Sequence, residues 1–114
     1  MKVLVTGGSG FLGQRLKIYK PDWYYLSSRD CDLTNSIATS ELFQDVKPSA
    51  VLHLAARVGG IKDNVMNQGE YYYQNVMINT NVIHQAYLNG VNRLLAALST
   101  CAYPDNMETY PFSE

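Results

Sequence analysis

A glycine-rich turn near the amino terminus constrains this chain more than any other feature. The segment TGGSGFLG, residues 6–13, follows a short apolar run and precedes a stretch of helical character. Gly7, Gly10 and Gly13 have the spacing G-x-x-G-x-x-G. A turn with so few side chains lets the backbone approach a ligand, and the helix that follows offers unpaired N–H groups and a partial positive charge. The turn therefore predicts dinucleotide binding; the alternative is a tight strand-to-helix turn without a ligand.

Beyond this turn, short β-rich runs alternate with helical segments, which is typical of βαβ units and a parallel sheet. We predict strands over residues 2–6, 23–27, 50–56 and 93–99. Helices are predicted over residues 11–19, from an N-cap at Thr34 or Asn35 to a stop before Pro48, and over residues 70–88. Right-handed crossovers give the strand order 2-1-3-4 with helices on both faces. The fold class is thus α/β, a Rossmann-like doubly wound parallel sheet in one domain over residues 1–114.

Apolar spacing indicates which helix faces are buried. In the first two helices the positions expected inside are Leu12, Leu16 and Tyr19, then Ile37, Leu42 and Val46.

The end of the second strand bears on which dinucleotide binds. NAD-binding domains commonly place an Asp or Glu there, on the ribose 2′-hydroxyl, whereas this chain has SSRD. Ser27 and Ser28 carry no charge that would repel a 2′-phosphate, and Arg29 offers a planar cation to bind one. This pattern favours NADP; the alternative is a solvated Arg29 paired with Asp30.

Composition excludes several classes of protein. Nine basic and ten acidic residues give a net charge of −1, so nucleic acid is not an expected partner. No apolar run approaches the roughly 18–20 residues of a membrane span, and no signal-peptide pattern is present, so we expect no membrane association and a cytoplasmic location. Cys31 and Cys101 have no metal-ligand spacing, and no metal site is predicted.

Three segments carry a narrower resemblance. HLAARVGGIKDN, QNVMINTNVIHQAYLNGVNRLL and LSTCAYP together resemble the GDP-L-fucose synthase family, within the extended short-chain dehydrogenase/reductases. The resemblance implies an NADP cofactor, a GDP-4-keto-6-deoxymannose substrate and a loop near nicotinamide and substrate that begins at residues 58–60. It places Asp32 and Leu33 at the adenine. The expected cofactor-binding residues are Gly7, Gly10, Phe11, Leu12, Gly13, Arg29, Asp32, Leu33, Leu54, Ala55 and Ala56.

The same resemblance implies two catalytic residues just beyond the fourth strand. Ser99 would hydrogen-bond the keto oxygen of the sugar, and Cys101 would transfer a proton during epimerisation. A ketone held by hydroxyl donors acidifies its neighbouring C–H, and a thiolate can act as a general base. Without the resemblance, Ser99 would be interpreted as a strand cap and Cys101 as a small buried side chain.

Other polar and aromatic residues have simpler interpretations. His53 is expected to be a hydrogen-bonded core or interface histidine. Asn75 and Asn79 could bond backbone near the site or be solvated. The run YYY at residues 71–73 is expected to bury one or two rings by packing.

Short-chain reductases need a Tyr-x-x-x-Lys pair, and no tyrosine in this sequence has a lysine four residues later. We therefore expect an amino-terminal fragment that lacks the substrate domain; the alternative is a natural short protein that binds a dinucleotide without catalysis, as a sensor or interaction module. The exposed apolar face of the long helix and the edge of the fourth strand predict a homo-oligomer.

Overall fold

All four strands of the described sheet run parallel. The computed structural model describes residues 1–59 and 61–98, with only the backbone of Ile61 and Asn64. The sheet order is β2-β1-β3-β4, as predicted, and it consists of β1 (Val3–Thr6), β2 (Tyr24–Leu26), β3 (Ala50–His53) and β4 (Arg93–Ala96). Because β1 lies between β2 and β3, the chain reverses its direction across the sheet at the carboxyl ends of β1 and β3.

The connecting helices are α1 (Phe11–Tyr19), α2 (Ser36–Val46), α3 (Ile61–Met66) and α4 (Gln68–Leu88). The Asn35 side chain accepts a hydrogen bond from the Ala38 N–H at 3.0 Å, so Asn35 is the N-cap of α2. Right-handed crossovers place α1 on one face of the sheet and α2 and α4 on the other. Helix α3 is a correction, since only a loop was expected there, and α4 begins two residues earlier than predicted.

The larger hydrophobic core lies between the sheet and the α2–α4 layer. Leu4 and Val51 project from neighbouring strands and pack with Phe43 of α2 and Val82 of α4. All four side chains are almost fully buried. A smaller cluster of Val3, Val5 and Ala50 covers the opposite face. The face of the sheet that α2 and α4 cover therefore holds the larger part of the buried core.

The strands are shorter than predicted, most clearly β3, which ends at His53 rather than at residue 56. Beyond His53 the Leu54 N–H bonds the Thr6 carbonyl oxygen at 3.2 Å and the Thr6 hydroxyl oxygen at 3.1 Å, whereas the Ala55 N–H bonds the hydroxyl oxygen at 3.1 Å. From Ala55 onward the backbone therefore leaves the ladder and forms a wall of the crevice. Strand β1 begins at Val3, β2 spans only Tyr24–Leu26, and β4 ends at Ala96.

Three apolar side chains expected inside are exposed. Leu12 and Tyr19 of α1 are 56% and 78% exposed, and Ile37 of α2 is 70% exposed. Helix α1 buries Gly13 instead, because its backbone packs directly on the glycine turn. Helix α2 buries Thr39, Phe43 and Val46, and Ile37 lies on the opposite side of that helix. Leu16 and Leu42 are half-buried, so the predicted faces are only partly right.

Candidate functional site

A crevice with a volume of about 750 Å³ opens at the carboxyl ends of the strands. The structure brings together along it every predicted cofactor residue except Arg29. Those residues are Gly7, Gly10, Phe11, Leu12, Gly13, Asp32, Leu33, Leu54, Ala55 and Ala56. The crevice lies at the point where the strand order reverses, which is where open α/β sheets bind ligands.

Two glycines of the turn are required by close backbone approach. Gly7 has φ 70°, and a Cβ there would lie 2.8 Å from the Ala55 nitrogen and the Leu54 carbonyl carbon. A Cβ at Gly13 would lie 2.5 Å from the Gly8 oxygen. The backbone of the turn therefore packs directly on the backbone of Leu54 and Ala55, which follow β3, and on the first turn of α1.

The first turn of α1 provides an anion-binding surface. Gly10 is the N-cap of α1 and has no side chain that could cap the first-turn N–H groups. Phe11 and Leu12 of that turn line the crevice. Unpaired N–H groups and the helix dipole favour a negative group at this position, so the cradle fits the pyrophosphate of a dinucleotide.

The end of the crevice beyond β2 is built on two carboxylates bonded to nearby hydroxyls. Asp32 accepts from the Thr34 hydroxyl at 2.6 Å and from the Thr34 N–H at 3.0 Å, and these bonds lower the pKa of Asp32. The pKa of Asp30 is likewise lowered by the N–H and hydroxyl of Ser27, at 2.9 and 3.0 Å. Arg29 is exposed and does not line the crevice. Its exposure agrees with the solvated arginine of the alternative, although within the described ranges no ion pair joins Arg29 to Asp30.

A chain of polar contacts that starts from the buried Thr6 and His53 supports the opposite wall. The Thr6 Oγ1 atom lies 2.7 Å from His53 Nδ1, and His53 Nε2 lies 2.8 Å from Asn79 Oδ1. Because the Thr6 oxygen already accepts the Leu54 and Ala55 N–H groups, its proton is donated to Nδ1. We therefore assign His53 as the neutral Nε2–H tautomer. Burial lowers the pKa of His53, while the bond to Asn79 acts in the opposite direction.

The third side of the crevice was only partly anticipated. Arg57, Val58, Gln74, Ile78 and Ala97 line it. The Asn75 side chain accepts from the Arg57 N–H at 2.7 Å and donates to the Arg57 carbonyl oxygen at 2.9 Å. The backbone-bonding alternative is thus confirmed for Asn75, while Asn79 bonds a side chain. Gln74 and Ile78 were missed, although their spacing of four residues places them on one face of α4.

The tyrosine run and Cys31 have defined places in the structure. Tyr71 is buried and Tyr72 and Tyr73 are exposed, so the run of three tyrosines buries one ring, as expected. Cys31 lines the crevice, and burial raises the pKa of its thiol. Gly60, Ser99 and Cys101 lie outside the described residues.

The chain belongs to the NAD dependent epimerase/dehydratase family, which it matches over residues 3–114. Among its relatives, a probable GDP-L-fucose synthase of Drosophila melanogaster is 42% identical over 99% of this chain. A GDP-L-fucose synthase of Dictyostelium discoideum is 40% identical over 98% of it. The chain spans 37% of the length of each of these relatives.

A solved structure agrees with this relationship. The crystal structure of a GDP-L-fucose synthetase from Naegleria fowleri bound to NADP superposes with a TM-score of 0.79 at 35% sequence identity. The match covers 97% of this chain and 34% of that one. The related fold is thus one that binds NADP in another member.

The depressed pKa of His53 predicts a pH-dependent stability. The unfolded histidine binds a proton near pH 6.5 and the folded one only at lower pH, so the free energy of unfolding is highest above about pH 7.5 and falls as the pH drops toward about 5.5. His53→Gln should flatten this dependence in urea unfolding experiments.

His84→Gln is the matched control for the substitution itself, because His84 is exposed on α4. A His53→Gln chain that loses stability over the same range as the wild type would contradict the assignment. An NMR titration of the His53 ring in the wild type gives the same answer independently, since the pKa of the folded ring should lie below that of an unfolded histidine.

Proposed function

We propose that this chain binds NADP(H) in the crevice and forms the cofactor-binding part of a GDP-L-fucose synthase-like epimerase/reductase. The observation that carries the proposal is the crevice between β1 and β3. It contains the start of α1, which can bind an anion, and the two residues that follow β2, Ser27 and Ser28, which carry no carboxylate. The family membership and the NADP-bound relative support it.

In this proposal the cofactor lies across the ends of the strands. The pyrophosphate contacts the glycine turn and the start of α1, and the adenine contacts Asp32 and Leu33. The 2′-phosphate lies beside Ser27 and Ser28, within reach of the exposed Arg29 side chain. The nicotinamide half then occupies the opposite end, along residues 54–58.

The proposed substrate of the complete enzyme is GDP-4-keto-6-deoxymannose. When bound, NADPH supplies the hydride that reduces the keto group. Ser99 is proposed to hydrogen-bond the keto oxygen and Cys101 to transfer a proton at the neighbouring carbon. Both follow closely on β4, whose carboxyl end borders the crevice at Ala97.

A cytoplasmic location and a homo-oligomer complete the proposal. No helix in the described part of the chain is long and apolar enough to cross a membrane. Val76, Ile83 and Tyr87 of α4 are exposed, as are Leu94 and Leu95 of β4, which lies at the edge of the described sheet. Apolar side chains on a helix face and an open sheet edge both favour contact with another chain.

Arg29→Ala tests the choice of cofactor. Loss of a charge-assisted bond to the 2′-phosphate should weaken NADPH binding by about 1.5–3 kcal/mol and change NADH binding little, as measured by isothermal titration. Arg93→Ala is the matched control, because Arg93 is exposed at the other end of a strand and does not line the crevice. Equal losses for the two cofactors would contradict the role of Arg29.

A second prediction concerns turnover. We expect these 114 residues alone to reduce no GDP-4-keto-6-deoxymannose, because they contain no Tyr-x-x-x-Lys pair. General acid catalysis alone contributes roughly 10²–10⁴-fold, and the chain spans only part of its relatives. Oxidation of NADPH, followed by the absorbance of the reduced nicotinamide, checks this prediction. Measurable turnover by the pure chain would overturn the prediction.

Light scattering tests the proposed assembly. At micromolar concentration the chain should have at least the mass of a dimer, because its apolar helix face and sheet edge are otherwise in water. Val76→Asp with Ile83→Asp should shift the mass toward the monomer if α4 forms the contact. Ile18→Asp, at an exposed position of α1, is the control and should have no effect. A monomeric wild type with β4 amides protected from exchange would instead favour a tail folded over the edge.

A further inference from the structure

A hydrogen-bonded cluster at the start of α4 links three elements near the nicotinamide end of the crevice. The Tyr71 hydroxyl donates to Asp63 Oδ2, and the Asn67 side-chain amide donates to Asp63 Oδ1 at 2.7 Å. Both oxygens of the Asp63 carboxylate are therefore bonded. Tyr71 is 7% exposed, so its hydroxyl is held at a defined position between α3 and α4.

This cluster packs directly on the loop that lines the crevice. A Cβ at Gly59 would lie 2.6 Å from Asp63 Oδ2 and would collide with the Tyr71 hydroxyl. The Arg57 guanidinium lies 5.3 Å from the centroid of the Tyr71 ring. Tyr71 therefore contacts the residues on either side of Val58, with its ring at Arg57 and its hydroxyl at Gly59. Arg57 and Val58 both line the crevice.

We propose that Tyr71, through its bond to Asp63, is a positioning residue that holds residues 57–59 in place for the nicotinamide half of the cofactor. This inference rests on the proposed function, since it needs a dinucleotide in the crevice. A loop that is ordered before the ligand arrives spares the ligand the cost of ordering it. This ordering of residues 57–59 favours binding of the nicotinamide half only, because the adenosine half of the cofactor lies at the other end of the crevice, beyond β2.

A comparison of whole and half cofactor separates positioning from simple packing. Tyr71→Phe removes the hydroxyl and leaves the ring beside Arg57. Dissociation constants are measured for NADP⁺ and for 2′,5′-ADP, which carries the adenosine half without nicotinamide. We expect NADP⁺ binding to weaken about 3- to 10-fold, the range of one hydrogen bond, with 2′,5′-ADP binding changed less than about 2-fold.

Two further variants sharpen this test. Asp63 is exposed, so we expect Asp63→Ala to fold and to weaken NADP⁺ binding at least as much as Tyr71→Phe, since it also removes the bond from Asn67. The double variant should lose no more than Asp63→Ala alone, because both substitutions remove the same Tyr71–Asp63 bond. Tyr72→Phe is the matched control, since Tyr72 is 72% exposed on the same helix and should bind both ligands as the wild type does.

The outcomes distinguish the inference from the proposed function. Selective weakening of NADP⁺ with non-additive variants supports the inference. Equal weakening of both ligands, no weakening, or additive losses would overturn it while leaving cofactor binding intact. A folded wild-type chain that binds neither ligand would contradict the proposed function and this inference with it.

Discussion

The structure depends on a close contact between two strand ends that leaves no room for side chains. At Gly7 the backbone after β1 lies against Leu54 and Ala55 after β3, and a single Cβ would fill the space between them. The Thr6 hydroxyl accepts both N–H groups of that second segment. The ends of β1 and β3 stay adjacent in the sheet, but the helices that follow the two strands pack on opposite faces of it. The crevice is the space that results.

Helix α4 supports this space from one side through its asparagines. Asn75 bonds the backbone of Arg57, Asn79 bonds the ring of His53, and the buried Asn81 donates to the Leu33 carbonyl oxygen at 2.9 Å. These partners lie on separate segments that line or underlie the crevice. Since an amide side chain both donates and accepts, one helix can pair with loop backbone at two points, Arg57 and Leu33, and with the His53 ring at a third. The shape of the crevice therefore depends on α4 as much as on the strands.

Most of the lining could be predicted because it comes from short segments that directly follow strands. Glycine spacing and the alternation of β-rich and helical runs were sufficient for the sheet order and for the glycine turn from Gly7 to Gly13. Asp32, Leu33 and the residues from Leu54 to Ala56 were expected in the crevice from the family resemblance. Contacts between segments distant in sequence were not predictable in the same way. Helix α3 and the Tyr71–Asp63 bond follow from no local pattern, since Tyr71 reads as one of three equivalent tyrosines. Ile37 was misplaced because apolar character alone does not say which side of a short helix faces the core.

The distribution of charge along the crevice bears on how cofactors would be discriminated. Among its described lining residues only Asp32 and Arg57 are charged, and they lie at opposite ends. Arg29 is exposed, so a bond from Arg29 to a 2′-phosphate would require ordering of a flexible side chain, which offsets part of its gain. Ser27 and Ser28 carry no charge of their own, but the Asp30 carboxylate bonds the N–H and hydroxyl of Ser27, and Asp32 lines the same end of the crevice. Under the proposed function, a preference for NADP(H) therefore requires the attraction of Arg29 to outweigh the repulsion from these two carboxylates.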